Sequence, residues 1–514
     1  MDSSDNLAKM DRWHSTVLDV HKWSDHPEIK QLTDELYITC GINSLDKSGN
    51  RKPKKTANQM LRVLLLDLYV NWLNDPDLSI GFSKNKNSFK VGDRYNQVYI
   101  SPKIIDVENM LVAGGYLEEL PFFKDNSGRF ESYTTRIRHT QKLRTEFQKL
   151  AVAPYDIDYG VDKELVVLQR YYVPEGEGRK ALEKINYTDT EFTEQTRQHL
   201  KTYNDLLKHS FIDIPSLHEP YVLREITKGK RAGQTQRISI GPENKLVHRV
   251  FNGTEEDNWK KGGRFYGGWW LQIPKELRKD IYINDQPTVE VDYKALHPNL
   301  LLETPERDPY HLERLILPEI ITEPDRQRSL VKGLILMAIN ATSPDKAFQA
   351  FRHDQKTKTI EKTLGNDQLR LFLDAFTDKY PELKNQLNTG IALELMNKDS
   401  TIAASVINHF TEQQIPVLCI HDSFIIQRDK EHQLKEALHI ASVQVAGKGI
   451  EQDSKSNLRA IKTRIQGNIS GYTEMRDATI NIPTKVAATD QYKSRKAKFY
   501  KWLETTSYSQ NSNL

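Results

Sequence analysis

The sequence predicts an α+β protein built from several domains. Its 514 residues exceed what one ordinary hydrophobic core accommodates, so two to four domains are expected. Helical patterns dominate the first half of the chain, whereas apolar, strand-like runs stand near residues 289–292 and 415–427. Each of these two runs contains an aspartate, a residue rarely buried without a partner. The second half of the chain is therefore where chemistry is expected.

The composition is typical of a soluble globular protein and does not suggest a membrane partner. Hydrophobic residues make up 38% of the chain and charged residues 28%. No apolar run is long enough to span a bilayer, and the N-terminus has no apolar signal-peptide core. The two cysteines, Cys40 and Cys419, form neither a disulfide framework nor a zinc site, so a cytoplasmic, nucleoid-associated location is expected. The net charge of +3 alone does not indicate nucleic acid.

The first 150 residues predict a helical segment followed by a winged-helix-like domain. Residues 1–50 are polar and helical in pattern, and a buried helix begins after Thr56. A second helical run, a Gly-Tyr break and a hairpin ending in residues 133–140 complete the layout of a winged helix-turn-helix over residues 51–150. A small interaction domain without nucleic-acid contact explains the same pattern. The cations expected on or beside the wing are Arg129, Arg136, Arg138 and His139, of which Arg136 and Arg138 are the predicted nucleic-acid contacts.

Residues 151–248 predict a helical connector or a thumb-like element that grips phosphates. The segment is mostly charged helix in pattern, which is equally typical of a solvated connector. A Gly-containing loop within it carries a basic stretch formed by Lys228, Lys230, Arg231 and Arg237. The pattern leaves both interpretations open.

Residues 471–514 predict a basic, aromatic C-terminal tail. Lys493, Arg495 and Lys496 are the predicted nucleic-acid contacts there, because cations neutralise phosphates and neighbouring rings can stack on bases. The rings interleaved with the cations are Tyr492, Phe499, Tyr500 and Trp502. An amphipathic surface helix explains this pattern equally well.

Residues 249–470 contain the two aspartates and predict a divalent metal site. Asp292 ends a β-branched run, and Asp422 interrupts an apolar run that otherwise reads as a strand hairpin. On adjacent antiparallel strands the two carboxylates can share two Mg²⁺ ions, or Mn²⁺, with water and substrate phosphates as the other ligands. Such a pair of ions activates an attacking 3′-hydroxyl and stabilises a leaving pyrophosphate. Taken singly, each aspartate is explained as a turn residue or as a capping residue.

Between the aspartates, a helix is predicted to carry two cations on one face. Arg328 and Lys332 are one helical turn apart, and the rest of the segment is apolar. Two fixed cations at this spacing suit the phosphates of a triphosphate, with Arg binding bidentately and Lys acting as a compact charge. Read alone, the segment is an ordinary amphipathic helix.

In this order along the chain, the segments resemble motifs A, B and C of the family A DNA polymerases and the related phage-type single-subunit RNA polymerases. The matching positions are Asp292-Tyr293, Arg328 with Lys332, and His421-Asp422. Upstream, residues 263–266 (GRFY) are similar to the GR-x-Y segment of the RNA polymerases, and residues 271–274 (LQIP) to the LQ-x-IP segment of the DNA polymerases. A helix with Asp399 near its middle precedes motif C, as in the family. The resemblance covers roughly residues 250–430.

The resemblance implies a right-hand polymerase with an α/β palm and reduced fingers, preceded by the winged-helix-like domain. It implies that Asp292 and Asp422 are the metal ligands and that Arg328 and Lys332 bind the triphosphate. It also implies that His421 supports the primer terminus or the catalytic aspartate. The other implied contacts are Arg264, Tyr266 and Gln272 for nucleic acid, and Tyr293, His297 and Asn340 for the nucleotide.

The departures from the family leave the choice of sugar open. Asn340 stands where the family has a tyrosine, and His297 stands where the DNA polymerases have a glutamate that excludes the 2′-hydroxyl. The interval between Asp292 and Asp422 is short, which implies small fingers. No exonuclease-like segment is present, so no proofreading is expected.

The expected function is a template-directed nucleotidyltransferase that extends a 3′-hydroxyl with nucleoside triphosphates. Its partners would be a template and a primer or product strand. Product type, template type, primer requirement and oligomeric state stay open. Two alternatives remain: a non-enzymatic replication initiator of a plasmid or phage type, and a metal-dependent phosphodiester hydrolase. Nucleases usually need a denser carboxylate and histidine cluster, and a hydrolase would leave Arg328 and Lys332 without a purpose.

Overall fold

The chain folds as an α+β protein around two large hydrophobic cores. The computed structural model describes residues 11, 13–47, 53–89, 93–124, 132–173, 181–227, 229, 231–455, 458–469, 472–483 and 486–511. One core includes buried residues from Ile29 to Ile157, and the other includes buried residues from Leu165 to Ile450. None of the helices in these ranges is both long and apolar enough to cross a bilayer.

The N-terminal unit consists of helices packed against a four-stranded sheet. Its elements are β1 (Ser15–Val17), β2 (Lys22–Trp23), α1 (Pro27–Thr39), α2 (Ser44–Lys47), α3 (Ala57–Asn74), β3 (Ser79–Phe82), α4 (Lys103–Ala113), β4 (Leu117–Leu120), β5 (Thr135–His139) and α5 (Gln141–Phe147). The sheet has the order β1-β3-β5-β4, with β1 parallel to β3 and the other pairs antiparallel. Arg129, predicted on or beside the wing, lies outside the described residues.

Helix α3 is the buried helix predicted after Thr56. Thr56 caps it by accepting a hydrogen bond from the amide of Gln59, whose side chain accepts from the Thr56 amide in return. Ile29 and Leu32 of α1 belong to the same core as α3. Residues 1–50 and 51–150 are therefore one packing unit, not the two predicted, because α1 alone could not bury its apolar face.

The predicted connector is largely strand rather than charged helix. The elements from residue 158 to residue 266, of which the last two extend beyond the connector, are β6 (Asp158–Tyr159), β7 (Val166–Tyr172), β8 (Ala181–Lys184), α6 (Glu191–Lys208), β9 (Ile212–Asp213), β10 (Tyr221–Glu225), β11 (Thr235–Ser239), β12 (His248–Asn252) and β13 (Gly262–Tyr266). A four-stranded sheet has the order β13-β12-β7-β8, and β10 pairs with β11 in a hairpin. The predicted boundary at residue 248 falls inside β12, which pairs with β7, so no domain border exists there. Of the predicted basic loop, Lys228 and Lys230 are not among the described residues.

The second core is completed by a sheet flanked by helices. Its elements are β14 (Tyr282–Ile283), β15 (Gln286–Tyr293), α7 (Leu296–Leu301), α8 (Pro324–Asn340), α9 (Pro344–Asp354), α10 (Asn366–Lys379), α11 (Ala392–Glu412), β16 (Leu418–Ile420), β17 (Ser423–Gln427), α12 (Glu431–Ala446) and β18 (Gln452–Lys455). The sheet has the order β16-β17-β15-β14-β9, and β18 also pairs with β15. Strand β15 thus lies between β17 on one side and β14 and β18 on the other. We call this sheet, with α7 to α12, the palm-like unit.

The chain ends in a hairpin and a helix, β19 (Leu458–Ile469), β20 (Tyr472–Pro483) and α13 (Asp490–Asn511). The predicted start of the tail at residue 471 separates β19 from β20, although the two strands pair along their whole length. Helix α13 buries Tyr492 and Phe499 against Phe211 in a third, small cluster.

Candidate active site

The two aspartates of the predicted metal site meet where β15 ends beside the β16–β17 turn. Val289 and Val291 point into the core, which leaves Asp292 at the strand end with a side chain 29% exposed. Asp292 is directly opposite Ser423 in the antiparallel pair of β15 and β17, and Asp422 is the residue just before Ser423. The Tyr293 amide donates a 3.5 Å hydrogen bond to the Asp422 carbonyl. The strand pairing therefore places two carboxylates of distant sequence position next to each other.

Asp422 is electrostatically unfavourable as an anion at its position. Burial raises the pKa of its carboxyl above the usual range, and the negative charge of Asp292 raises it further. In the part of the chain that the structure describes, no other residue donates a hydrogen bond to the Asp422 side chain. A half-buried carboxylate that accepts no hydrogen bond from another residue is stabilised chiefly by a cation.

The Asp292 carboxylate is paired with a lysine that sequence analysis did not identify. The Nζ of Lys455, on β18, donates to Asp292 Oδ2 at 2.6 Å. Burial lowers the pKa of Lys455, but the hydrogen bond and charge of Asp292 outweigh it and raise the pKa overall. No sequence signal pointed to Lys455, because β18 is a short polar strand (QDSK) without apolar alternation.

The residues present fit a divalent metal ion. Mg²⁺ prefers oxygen ligands and is commonly held by one or two carboxylates plus substrate phosphates. Asp292 and Asp422 supply two such carboxylates at one end of the sheet, and the Lys455 ammonium already occupies a cation position on Asp292. The donor set is thus hard oxygen, without the cysteine or histidine cluster that zinc prefers. Among the described residues, no group of three or more His, Cys, Asp or Glu side chains forms a potential metal cluster.

Beside the aspartates, a buried carboxylate holds an arginine. Arg264 on β13 donates through Nε to both oxygens of Asp399, at 3.2 and 3.1 Å, and its Nη2 also contacts Asp399. The Nε2 of His297 lies 2.8 Å from Asp399 Oδ2 and 3.2 Å from Arg264 Nη2. Burial lowers the pKa of Arg264, but Asp399 and then Asp422 act in the opposite direction and raise it overall. The guanidinium is therefore a fixed cation near Asp422.

Asp399, which sequence analysis noted only as part of a helix layout, has a definite role in this cluster. Its side chain is fully buried on α11, so its charge requires the Arg264 guanidinium. Ser400, the next residue, donates to the carbonyl of Gly262 and fixes α11 against β13. A buried acid inside an apolar helix is the sequence signal that could have identified it.

His421 occupies a strained position in the β16–β17 turn. Its φ angle is +58°, a left-handed conformation that a non-glycine residue seldom adopts. Burial lowers the pKa of the imidazole, and the charge of Arg264 lowers it further, which favours the neutral ring. The ring makes an edge contact with Tyr266 at a centroid distance of 5.9 Å, and its buried Nδ1 has no hydrogen-bond partner among the described residues.

Helix α8 presents its two cations toward a buried tyrosine near the aspartates. Arg328 Nε donates to Asp308 Oδ2 at 2.5 Å, and Lys332 Nζ lies 5.9 Å from the centre of the Tyr310 ring. Burial raises the pKa of the Tyr310 hydroxyl. The charge of Arg328 lowers this pKa, whereas the charges of Asp308 and Asp422 raise it. Lys332 is exposed and Arg328 is 38% exposed, so both cations are accessible from solvent.

A search of family models finds no match to this chain, and a search of curated proteins finds no significant match.

One residue predicted at the nucleotide is placed differently from the prediction. Tyr293 is buried, and its hydroxyl donates to the Leu438 carbonyl of α12 at 2.5 Å, so this ring belongs to the core and not to the cleft. The reason is strand alternation, because Asp292 and Tyr293 point to opposite faces of the sheet. Asn340 is the last residue of α8 and donates to its own helix at the Leu336 carbonyl.

The predicted nucleic-acid contacts divide into exposed and internal residues. Arg138 is 2% exposed and donates to Glu118 at 2.6 Å, so its prediction as a nucleic-acid contact was wrong. Arg136 is only half-buried, and with the exposed Gln272 it lines a cavity of about 940 Å³ between the N-terminal unit and the β10–β11 hairpin. Tyr266 is 40% exposed beside His421.

The predicted single-strand contact at the C-terminus is largely a packing surface. Arg495 donates to both oxygens of Asp213 at 2.8 and 3.0 Å, and Lys496 pairs with Asp285 at 2.8 Å. Lys493 is exposed and pairs within its own helix. The rings of Tyr492 and Phe499 are buried, so they cannot stack on bases. The amphipathic-helix alternative is the correct one for these rings.

Proposed function

We propose that this chain is a template-directed nucleotidyltransferase that extends a 3′-hydroxyl with nucleoside triphosphates. The observation that carries the proposal is the adjacency of Asp292 and Asp422 at one end of the sheet, with the cationic face of α8 nearby. A carboxylate pair in which Asp422 accepts no hydrogen bond from another described residue, next to two cations one helical turn apart, matches the needs of phosphoryl transfer. Sequence order and geometry thus favour the same reaction.

The proposed roles follow from charge and exposure. Asp292 and Asp422 would hold two Mg²⁺ ions, which when bound lower the pKa of the attacking hydroxyl and neutralise the leaving pyrophosphate. Arg328 and Lys332 would bind the triphosphate, and Arg264, fixed by Asp399, would orient the nascent base pair or the nucleotide sugar. His297 lies against the same carboxylate, which makes it a candidate for sensing the 2′ position.

We further propose that the N-terminal unit is a winged helix that contacts nucleic acid and that the palm-like unit is the palm of a right-hand polymerase. Support for the first part is the strand order β3-β5-β4 combined with α3 and α4. Arg136 and Gln272, both predicted nucleic-acid contacts, line one cavity between this unit and the β10–β11 hairpin. Such an enzyme would act where its template is, at the nucleoid.

The test is nucleotide incorporation by the full chain and by Asp422→Asn. Each template type is offered with labelled ribo- or deoxyribonucleoside triphosphates and Mg²⁺. We expect Asp422→Asn to reduce incorporation by about 10³-fold or more, because a lost metal ligand removes several kcal/mol of transition-state stabilisation. A matched control is Asp429→Asn, an aspartate 68% exposed just after β17, which should incorporate like the wild type.

Comparable incorporation by wild type and Asp422→Asn would remove the metal-ligand assignment. If the wild type incorporates no nucleotide on any template but binds a specific duplex, the replication-initiator alternative is the correct one. Release of nucleotides from a substrate strand without triphosphates would instead indicate a hydrolase.

A further inference from the structure

Strand β18 brings a second layer of charge to the proposed metal site. In the antiparallel pair of β15 and β18, Asp292 is opposite Asp453 and Glu290 is opposite Lys455. Directly opposite residues, and residues two apart on one strand, share a face of a sheet, so these four side chains lie on the same face. The ion pairs run diagonally: Lys455 donates to Asp292, and Lys294 donates to Asp453.

The ion pair between Lys455 and Asp292 is accessible enough for Lys455 to change its anionic partner. The two side chains are 41% and 29% exposed, and ion pairs that water can reach are weak. A divalent ion held by Asp292 would compete with the Lys455 ammonium for this carboxylate, because like charges repel. Metal binding would therefore favour release of Asp292 by Lys455, whose ammonium then needs another anion. Lysine carries a compact charge on a flexible stem, which allows this change of partner.

We propose that Lys455 is a nucleotide-binding residue that neutralises Asp292 in the absence of metal and moves to the triphosphate when a metal-bound nucleotide enters. The inference rests on the proposed function and adds a third phosphate-binding cation. This cation lies on β18, which pairs with the edge of β15 that β17 does not occupy. The phosphates that accompany the metal are anions able to accept the displaced ammonium, whereas Glu290, opposite Lys455, already accepts from Ser423 Oγ at 2.9 Å and lies 3.8 Å from Arg278. Asp453 does not compete, because Lys294 is already its partner.

The experiment compares binding of two probes to the full chain, Mn²⁺ alone and ATP or dATP at saturating Mn²⁺, by titration calorimetry. In Lys455→Met the competitor for Asp292 is absent, so Mn²⁺ alone should bind severalfold more tightly than to the wild type. Triphosphate should bind about tenfold more weakly, since a hydrogen bond to a charged group is lost. Lys455→Arg keeps the charge and should stay within about threefold of the wild type for Mn²⁺.

The matched control is Lys208→Met. Lys208 pairs with Asp158 at 2.8 Å and is 45% exposed, close to the values of Lys455, but lies away from the site on α6. It should alter neither affinity. If the wild type binds both probes and Lys455→Met changes only one affinity or neither, the inference is overturned. If the wild type binds neither Mn²⁺ nor triphosphate, the proposed function itself fails, which is a distinguishable result.

Discussion

Two aspartates in different units, Asp67 and Asp422, differ in the hydrogen bonds that their carboxylates accept. Asp67, in the N-terminal core, is 1% exposed, and both of its oxygens accept hydrogen bonds: Oδ1 from Lys22 Nζ at 2.6 Å and Oδ2 from the Asp19 amide at 3.1 Å. Among the described residues, no residue other than Asp422 itself donates a hydrogen bond to the Asp422 carboxylate. A carboxylate with every oxygen satisfied serves the fold, whereas one left beside a second carboxylate is available to a ligand.

The lysines that pair with aspartates in the two regions differ in their exposure. Lys22 is 5% exposed, and the charges of Asp67 and Asp19 raise its pKa despite the opposing effect of burial. Lys455 contacts Asp292 at the same 2.6 Å but is 41% exposed. Equal distances therefore do not mean equal roles. The enclosed pair is permanent, and the accessible pair can be replaced.

The largest expected effect is a loss of stability when the buried Lys22–Asp67 ion pair is broken. Lys22→Met leaves Asp67 and Asp19 without their shared cation in a buried position, so the free energy of unfolding should fall by about 3–5 kcal/mol. Urea unfolding followed by circular dichroism measures this loss. Mn²⁺ affinity at the palm-like unit, measured in the absence of urea, should stay unchanged.

Lys208→Met is the control for that substitution, because its ion pair is exposed and should contribute less than about 1 kcal/mol. Equal stability losses for Lys22→Met and Lys208→Met would show that enclosure does not distinguish the two kinds of pair.

A smaller effect is expected where a buried acid serves the site instead of the fold alone. Asp399→Asn removes the charge that fixes Arg264 but keeps a hydrogen-bond acceptor of the same shape. We expect incorporation to fall by about 100-fold, the usual consequence of a misplaced positioning group. The loss should appear in kcat more than in the KM for nucleotide, since Arg328 and Lys332 are untouched.

A purely structural role for Asp399 predicts a different result. Incorporation measured well below the unfolding temperature would then match the wild type, and only thermal stability would fall. Arg264→Lys, which keeps the charge but loses the forked geometry, separates charge from orientation.

Local patterns were sufficient to predict the strands that carry the proposed metal ligands. The β-branched run before Asp292 and the apolar residues on both sides of Asp422 correspond to β15 and to the β16–β17 hairpin, and the helix with Arg328 is α8. These features depend on alternation and helical spacing over a few residues, which the sequence displays directly. The meeting of the two strands followed from the hypothesis that both belong to one sheet.

Contacts between distant segments were beyond local patterns. Arg136 and Arg138 alternate with Ile137 in the same way, yet Arg138 is buried because Glu118 stands directly opposite it on β4. Helix α13 looks like a free basic tail until Phe211, far earlier in the chain, covers its rings. Lys455 became recognisable only through the pairing of β18 with β15. Each of these cases requires a partner that no short window contains.

The smallest expected effect uses the raised pKa of Asp422. Because the folded protein holds the Asp422 proton more tightly than the unfolded chain, the group stabilises the fold at pH below its unfolded pKa. That stabilisation is lost as the pH rises through the folded pKa. Asp422→Asn cannot ionise, so it should equal the wild type at low pH and exceed it at neutral pH, by about 1 kcal/mol. The measurement is the free energy of unfolding from pH 4 to 8 without metal.

Divalent metal should reverse that order. At a Mn²⁺ concentration of about 100 times its dissociation constant, the wild type gains about 2.7 kcal/mol by mass action, whereas Asp422→Asn binds less and gains less. The variant that is more stable without metal should thus become the less stable one with it. Asp67→Asn, whose carboxylate is fully engaged in the N-terminal core, should show no such reversal. A wild type that stays less stable than Asp422→Asn at every Mn²⁺ concentration would mean that the charge at Asp422 serves no cation.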